Sequence, residues 1–255
     1  MTFSKLPMIL LAGALVASAQ PPAGPAKPAA AKPKPAPVKE DPWTKKTLWG
    51  DPDLSGVWQQ RLGVVGLDLA DFVDIPYTAD SKAKYEFNNT SKGQVNDPES
   101  ACLPAGVPRT TGLPYPFRFM QTQNLIAMLV EGNVHSYRLI LMNQEHPKDV
   151  NPTWMGHSVG KWEGDTLVID TVGMNDKTWL DPGGHIHSDK LHTVERFTRL
   201  TENQLKYEFT IDDPIAYTKP WGWGYTLVGH HDWELIEYVC NENNKDIEHM
   251  IDGNK

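Results

Sequence analysis

Between Asn124 and Asp212 the chain sets ionisable and aromatic side chains into strand-like alternation. Glu131, His135, Tyr137, Arg138, His146, His157, Asp170, Trp179, His185, His187, His192, Glu195 and Arg196 all fall in this stretch. A sheet that served only to fold would not need so much titratable chemistry. Glu131 and His135 flank Gly132-Asn133, a two-residue link suited to a tight hairpin turn. If the following strand turns His135, Tyr137 and Leu139 inward, His135 and Tyr137 project in parallel about 7 Å apart. They would then bracket a small substrate as acid and base. Arg138 would point outward toward a loop carboxylate. The plain alternative is a solvated rim with Tyr137 in the core, hydrogen-bonded through its hydroxyl.

The densest cluster is Gly183-Gly184-His185-Ile186-His187-Ser188-Asp189-Lys190-Leu191-His192. In an extended chain His185 and His187 share a face, and His192 after a turn would complete a three-imidazole set with a position open to water. Cupin-type sites carry a Glu three or four residues after the second His, and Glu195 lies too far along to supply it. Acid/base or hydrogen-bonding use of His187 and His192 is therefore preferred to a metal. On the strand that follows, His192, Val194 and Arg196 share one face and Thr193, Glu195 and Phe197 the other. Arg196 beside His192 would need Asp170, Glu131 or an anionic ligand, or else forms an ordinary cross-strand salt bridge. Most of the tryptophans read as core or barrel plugs. Trp179, Tyr217 and Trp221 read as rim residues able to stack on a flat cyclic substrate. No phosphate-binding loop, dinucleotide fingerprint or Cys-x-x-Cys pair occurs.

These residues need elements to hold them. Residues 1–19, with Lys5, an apolar run from Leu6 to Ala17 and the small-x-small triplet Ala17-Ser18-Ala19, read as a signal peptide. Its apolar run is shorter than the roughly 20 residues that span a bilayer. Residues 20–42, rich in Pro, Ala and Lys, read as a disordered linker. Residues 43–255 read as one domain. The net charge of −8 is understated for that domain, because Lys27, Lys32, Lys34 and Lys39 belong to the linker, and it argues against a nucleic-acid partner. A periplasmic or secreted location is expected from the leader, and in that compartment Cys102 and Cys240 are expected to form a disulfide, with two separate buried thiols as the alternative. A first strand is expected at Asp53–Trp58, and irregular structure from Gly63 to Pro116 with a short helix near Ser81–Phe87. A hairpin of Leu125–Glu131 with Val134–Leu141 comes next, then strands at Thr166–Val172, Leu191–Leu200 and Gln204–Ile211. Trp233–Cys240 is expected to close the sheet. The fold class is mainly β: one antiparallel up-and-down barrel of about eight strands, with a long irregular insertion before the second strand and room for one modest ligand.

A resemblance sharpens this. Gly56-Val57-Trp58 is similar to the Gly-x-Trp signature in the first strand of lipocalins. Cys102-Leu-Pro-Ala-Gly-Val-Pro-Arg109, the segment from Trp154 to Gly173 and Glu237-Tyr-Val-Cys-Asn-Glu-Asn-Asn244 resemble a group of exported bacterial lipocalin-like (calycin-type) barrels without an assigned reaction. The likeness covers nearly all of the chain after Asp51 and implies a barrel with a shared site. In that group Asp often stands where this chain has His157, which makes any role of His157 particular to this protein.

The expected function is an exported, cofactor-independent lyase, hydratase or isomerase acting on a hydrophobic cyclic or aromatic small molecule. His135, Tyr137, Glu131, His187 and His192 are its candidate catalytic residues, with Arg138, Trp179, Arg196, Tyr217 and Trp221 binding substrate and no metal required. The rival readings are a carrier of an apolar ligand and a metal-dependent hydrolase or oxygenase built on His185, His187 and His192.

Overall fold

The computed structural model describes residues 40–60, 68–132, 134 and 136–242. The signal peptide, nearly all of the linker, the turn residue Asn133, His135 and the end of the Glu237–Asn244 motif lie outside the described residues. Nine strands close into a barrel: β1 (Gly56–Gln60), β2 (Phe117–Gln121), β3 (Leu125–Val130), β4 (Tyr137–Met142), β5 (His157–Glu163), β6 (Thr166–Val172), β7 (His192–Arg199), β8 (Gln204–Asp212) and β9 (Trp221–His230). Neighbours in sequence are neighbours in the sheet, and β9 returns to pair with β1.

Three details depart from the sequence reading. The β4–β5 pair is parallel, Ile140 facing Ser158 and Met142 facing Gly160, so the barrel is not antiparallel throughout. Parallel neighbours need a return crossing, and residues 143–156 supply it as a strap over the outer wall. The seam is close enough that a Cβ on Gly160 would meet Ile140 Cγ2 at 2.7 Å and Met142 Sδ at 2.8 Å. The hairpin of β3 and β4 forms, but β4 begins at Tyr137, which leaves a wider connection than a two-residue turn. The closing strand is β9, while Trp233–Cys240 carries no strand.

The insertion between β1 and β2 holds the expected helix, α1 (Ala79–Asn88), started by Thr78, whose side chain accepts from the Ser81 N–H. A second short helix, α2 (Arg109–Gly112), lies just before β2. Cys102 and Cys240 are disulfide-bonded across a Cα–Cα distance of 5.8 Å, tying the insertion to the C-terminal segment.

Alternation sorts the walls. In β8 Leu205, Tyr207, Phe209 and Ile211 are buried, while Lys206 and Thr210 face water. Inward aromatic rings meet at close range: Phe117–Phe119 and Phe119–Phe197 at 5.3 Å and Phe197–Tyr207 at 4.7 Å between centroids. With Trp58 also buried, side chains fill the space expected for a ligand.

One charged pair sits among these rings. Arg138 points inward, opposite to the orientation read from sequence, and its NH2 lies 2.5 Å from Glu195 Oε2, with both side chains almost wholly buried. Arg138 Nε donates to Ser158 Oγ at 2.8 Å and NH2 to Thr171 Oγ1 at 2.6 Å, while Tyr207 donates to Glu195 Oε1 at 2.8 Å. The register was ambiguous because both faces of β4 are largely apolar: Tyr137, Leu139 and Leu141 against Ile140 and Met142. Pairing of Arg138 with Met128 and of Ile140 with Ile126 aligns the second set with buried residues of β3. Tyr137 is left 63% exposed.

A buried pair that loses one partner leaves an uncompensated charge. Arg138→Met and Glu195→Leu should therefore each lower unfolding stability by about 3–5 kcal/mol, and the double replacement by clearly less than the sum of the two. Urea denaturation of the four proteins measures this, and full additivity would contradict the coupling.

Candidate functional site

The candidate site forms where the insertion folds over one end of the barrel and meets the β6–β7 loop. In Asp181-Pro-Gly-Gly-His185 the Pro-Gly-Gly turn brings the carboxylate back onto the imidazole. Asp181 Oδ1 accepts the N–H groups of Gly184 at 3.1 Å and His185 at 3.2 Å. Its Oδ2 accepts His185 Nδ1 at 2.7 Å and the Leu69 N–H, from the insertion, at 2.6 Å. His185 is fully buried. With Nδ1–H committed to Asp181, its Nε2 accepts, and the donor is the hydroxyl of Tyr77 at 2.5 Å.

Tyr77 lies just before α1, and Tyr85 on that helix stacks over the imidazole with centroids 4.2 Å apart. Tyr85 donates to Asp68 Oδ2 at 2.7 Å, as does Asn89 Nδ2 at 2.6 Å. Burial first, then the Tyr85 and Asp68 charges, raise the Tyr77 pKa well above the ordinary phenol value. Tyr85 is pushed up to about 12, by burial and by its hydrogen bond to Asp68. Both phenols are thus neutral at physiological pH. A cavity of about 20 Å³, room for a single water, touches Asp181 and is lined by Leu69, Leu180, Phe209, Trp223 and Tyr225 among others. Half-exposed Phe72 packs on Trp223 at 4.8 Å, adding an aromatic rim.

Asp68, Asp181 and His185 are close enough to share a cation. Their lone pairs, however, are directed at N–H and O–H donors on every side, which is the chemistry of a hydrogen-bonded relay. Asp181 orients the imidazole, the imidazole accepts from the phenol, and the phenol is half-buried at the outer end. A group that loses a proton to the phenol oxygen, while the phenol proton passes to Nε2, would leave an imidazolium beside Asp181 and no free phenolate.

The residues singled out from sequence do not converge. His187 is buried 4% exposed, donating Nδ1–H to the Ser188 carbonyl at 2.9 Å and accepting from Thr178 Oγ1 at 2.7 Å. His192 lies on the outer wall, where its Nε2 donates to Asp170 Oδ2 at 2.9 Å. Burial alone would raise Asp170, but hydrogen bonds from His192 and His146 hold it below the usual carboxylate value. The proposed three-imidazole set of His185, His187 and His192 is therefore replaced by three separate contacts. Glu131 accepts from the Ile236 N–H at 2.9 Å, and Tyr137 faces outward. Arg196 pairs with Glu163 at 2.9 Å on the outer surface, an exposed contact screened by solvent.

Trp179, Tyr217 and Trp221 are buried rather than rim residues, and Tyr217 donates to the Ile186 carbonyl at 2.7 Å. They plug the end of the barrel beneath its loops. No family model, no curated protein and no solved structure matches the chain. The sequence reading missed Tyr77, Tyr85, Asp68 and Asp181. Asp181, four residues before His185 across a turn, was the one local signal.

Burial lowers the His187 pKa, against the smaller raising effect of the Ser188 carbonyl. The unfolded chain takes up this proton near pH 6.5 and the fold resists it, so stability should fall as pH drops from about 6.5 toward the lowered folded value. His157 and His230 are shifted the same way. His187→Gln should accordingly flatten only part of the slope between pH 7.5 and pH 5, as read by urea unfolding. An unchanged slope would remove His187 as a contributor.

Proposed function

We propose that this chain is an exported, lipocalin-like barrel that catalyses proton transfer on a hydrophobic cyclic small molecule, as a lyase, hydratase or isomerase, with Tyr77, His185 and Asp181 as its relay. The observation that carries the reading is the fully buried His185, hydrogen-bonded on one nitrogen to a carboxylate and on the other to the phenol of a partly buried tyrosine. A core histidine needs two partners. A chain of acid, base and orienting carboxylate is what proton transfer to or from a bound ring requires.

In this mechanism an acidic position of the substrate meets the Tyr77 oxygen. Tyr77 takes that proton as its own moves to His185. Asp181 stabilises the imidazolium, and the reverse transfer delivers a proton to another atom of the substrate. Asp68 holds Tyr85 flat on the imidazole and fixes the ring plane. The filled barrel favours this reading over a carrier, which needs an apolar cavity large enough to enclose its cargo. Export accords with the Cys102–Cys240 disulfide.

The test uses the exchange that such chemistry leaves behind. The chain is incubated with a small-molecule extract in D₂O, and products are compared by mass spectrometry with those of Tyr77→Phe. At least one cyclic compound should gain deuterium or change mass with the wild type. Tyr77→Phe should slow this by roughly 10²–10⁴-fold while keeping the wild-type melting profile. Chelator treatment should leave the rate unchanged. Turnover that is equal in Tyr77→Phe, or absent from every extract tried, would overturn the proposal.

A further inference from the structure

On the opposite side of the sheet from the core, four side chains form a second polar cluster that the relay does not use. The strap crossing from β4 to β5 carries His146, and β5 opens with His157. Their Nδ1 atoms face each other at 2.8 Å. The ring centroids are 5.0 Å apart, close to the separation expected when two imidazoles point nitrogen to nitrogen. His146 Nε2 lies 3.0 Å from Asp170 Oδ1, and the other oxygen of Asp170 takes His192 Nε2 at 2.9 Å.

The tautomers follow from these contacts. Asp170 can only accept, so His146 carries its proton on Nε2 and presents a lone pair at Nδ1, directly toward His157. A carboxylate behind one nitrogen with the other nitrogen free is the arrangement that prepares an imidazole to bind a metal. His157 donates its Nδ1 proton across the gap. Moving that proton to its Nε2 turns a second lone pair to the same point with no change of charge.

We propose that His146 and His157 form a binding site for a borderline divalent cation such as Zn²⁺ or Cu²⁺, which clasps the strap to the outer wall of the barrel. Two imidazoles at about 2.05 Å from a tetrahedral ion have nitrogens about 3.3 Å apart, so the present gap needs to open by only about half an ångström. The remaining positions face open grooves on either side of the clasp. One, of about 420 Å³, is lined in part by Tyr137, Trp154 and His157. The other, of about 690 Å³, is lined in part by Glu145, His146 and Asp170. Water or an anionic ligand reaches the ion through them. The neighbouring cations do not oppose this, since Lys161 and Arg196 are both held by Glu163 at 2.9 Å.

The site is distinct from the proposed relay, and its test is independent of turnover. The full chain, freed of metal by chelator and then dialysed, is titrated with zinc chloride in a calorimeter, and with Cu²⁺ under electron paramagnetic resonance. One equivalent of zinc should bind and raise the melting temperature, and the copper spectrum should show at least two imidazole nitrogens. His146→Ala and His157→Ala should each abolish that equivalent. Asp170→Asn should weaken it by roughly 10–100-fold. Tyr77→Phe and the double variant His230→Ala/His231→Ala, which removes the other adjacent pair of histidines, should bind as the wild type does. His157 is partly exposed at the start of a strand, so its replacement tests the site even if His146→Ala fails to fold. Zinc bound equally by His157→Ala, or no binding by the wild type, would overturn the proposal.

Discussion

A guanidinium and a carboxylate inside a barrel packed with aromatic rings must face one another, because neither is tolerable there alone. Arg138 reaches from β4 past Ser158 of β5 and Thr171 of β6 to Glu195 on β7, so one side chain links four strands. This fixes the register at the parallel seam, the one place where the barrel departs from antiparallel pairing. With Arg138 inward, Tyr137 and Leu139 must face out. The same alternation across β5, β6 and β7 brings His157, Asp170 and His192 to the outer wall. The filled interior and the external histidine cluster are consequences of a single placement.

That placement also decides where chemistry can occur. A barrel packed inside with Trp58, Phe117, Phe119, Phe197 and Tyr207 has those rings where a ligand among its strands would sit. Reactive groups that need both desolvation and access must lie where loops, rather than strands, form the enclosure. The insertion and the β6–β7 loop supply that setting at the mouth. There His185 is fully buried while its partner Tyr77 is only partly buried. The strap supplies a second and more open setting on the outside.

The parts of this architecture that the sequence discloses are those with strong contrast between faces. In Gln204–Ile211 apolar and polar residues alternate cleanly and place Leu205 and Tyr207 in the core as read, and in Thr166–Val172 Leu167 and Ile169 take the core face while Asp170 lies on the other. Helix α1 was visible through its surroundings of turn residues, and the disulfide through there being only two cysteines. Tyr137-Arg-Leu-Ile-Leu-Met142 gives no such contrast. A one-residue shift there reverses every side chain, and it moved Tyr137 out of the expected cavity. Trp179, Tyr217 and Trp221 looked like rim residues because they sit in or beside loops, yet those loops fold inward to close the barrel. Tyr77 and His185 are 108 residues apart, and neither flanking segment carries a mark of the other. Such a contact exists only once the insertion has docked.

Asp181 shows why the relay has to be probed at its outer end. Its carboxylate accepts two N–H groups of its own loop, one from Leu69 of the insertion and one from His185. Three of those four bonds hold backbone, so removing the carboxylate would unfasten the insertion from the β6–β7 loop along with any chemistry. His185, fully buried, has no solvent to replace its partners. Tyr77 differs: its hydroxyl makes one bond inward, its ring is stacked on Tyr85 at 5.4 Å, and a phenylalanine preserves that ring contact. Loss of the hydroxyl alone therefore separates proton transfer from the docking of the insertion, because the bond it removes holds no backbone in place and Tyr77, unlike Asp181, fastens no loop through that group.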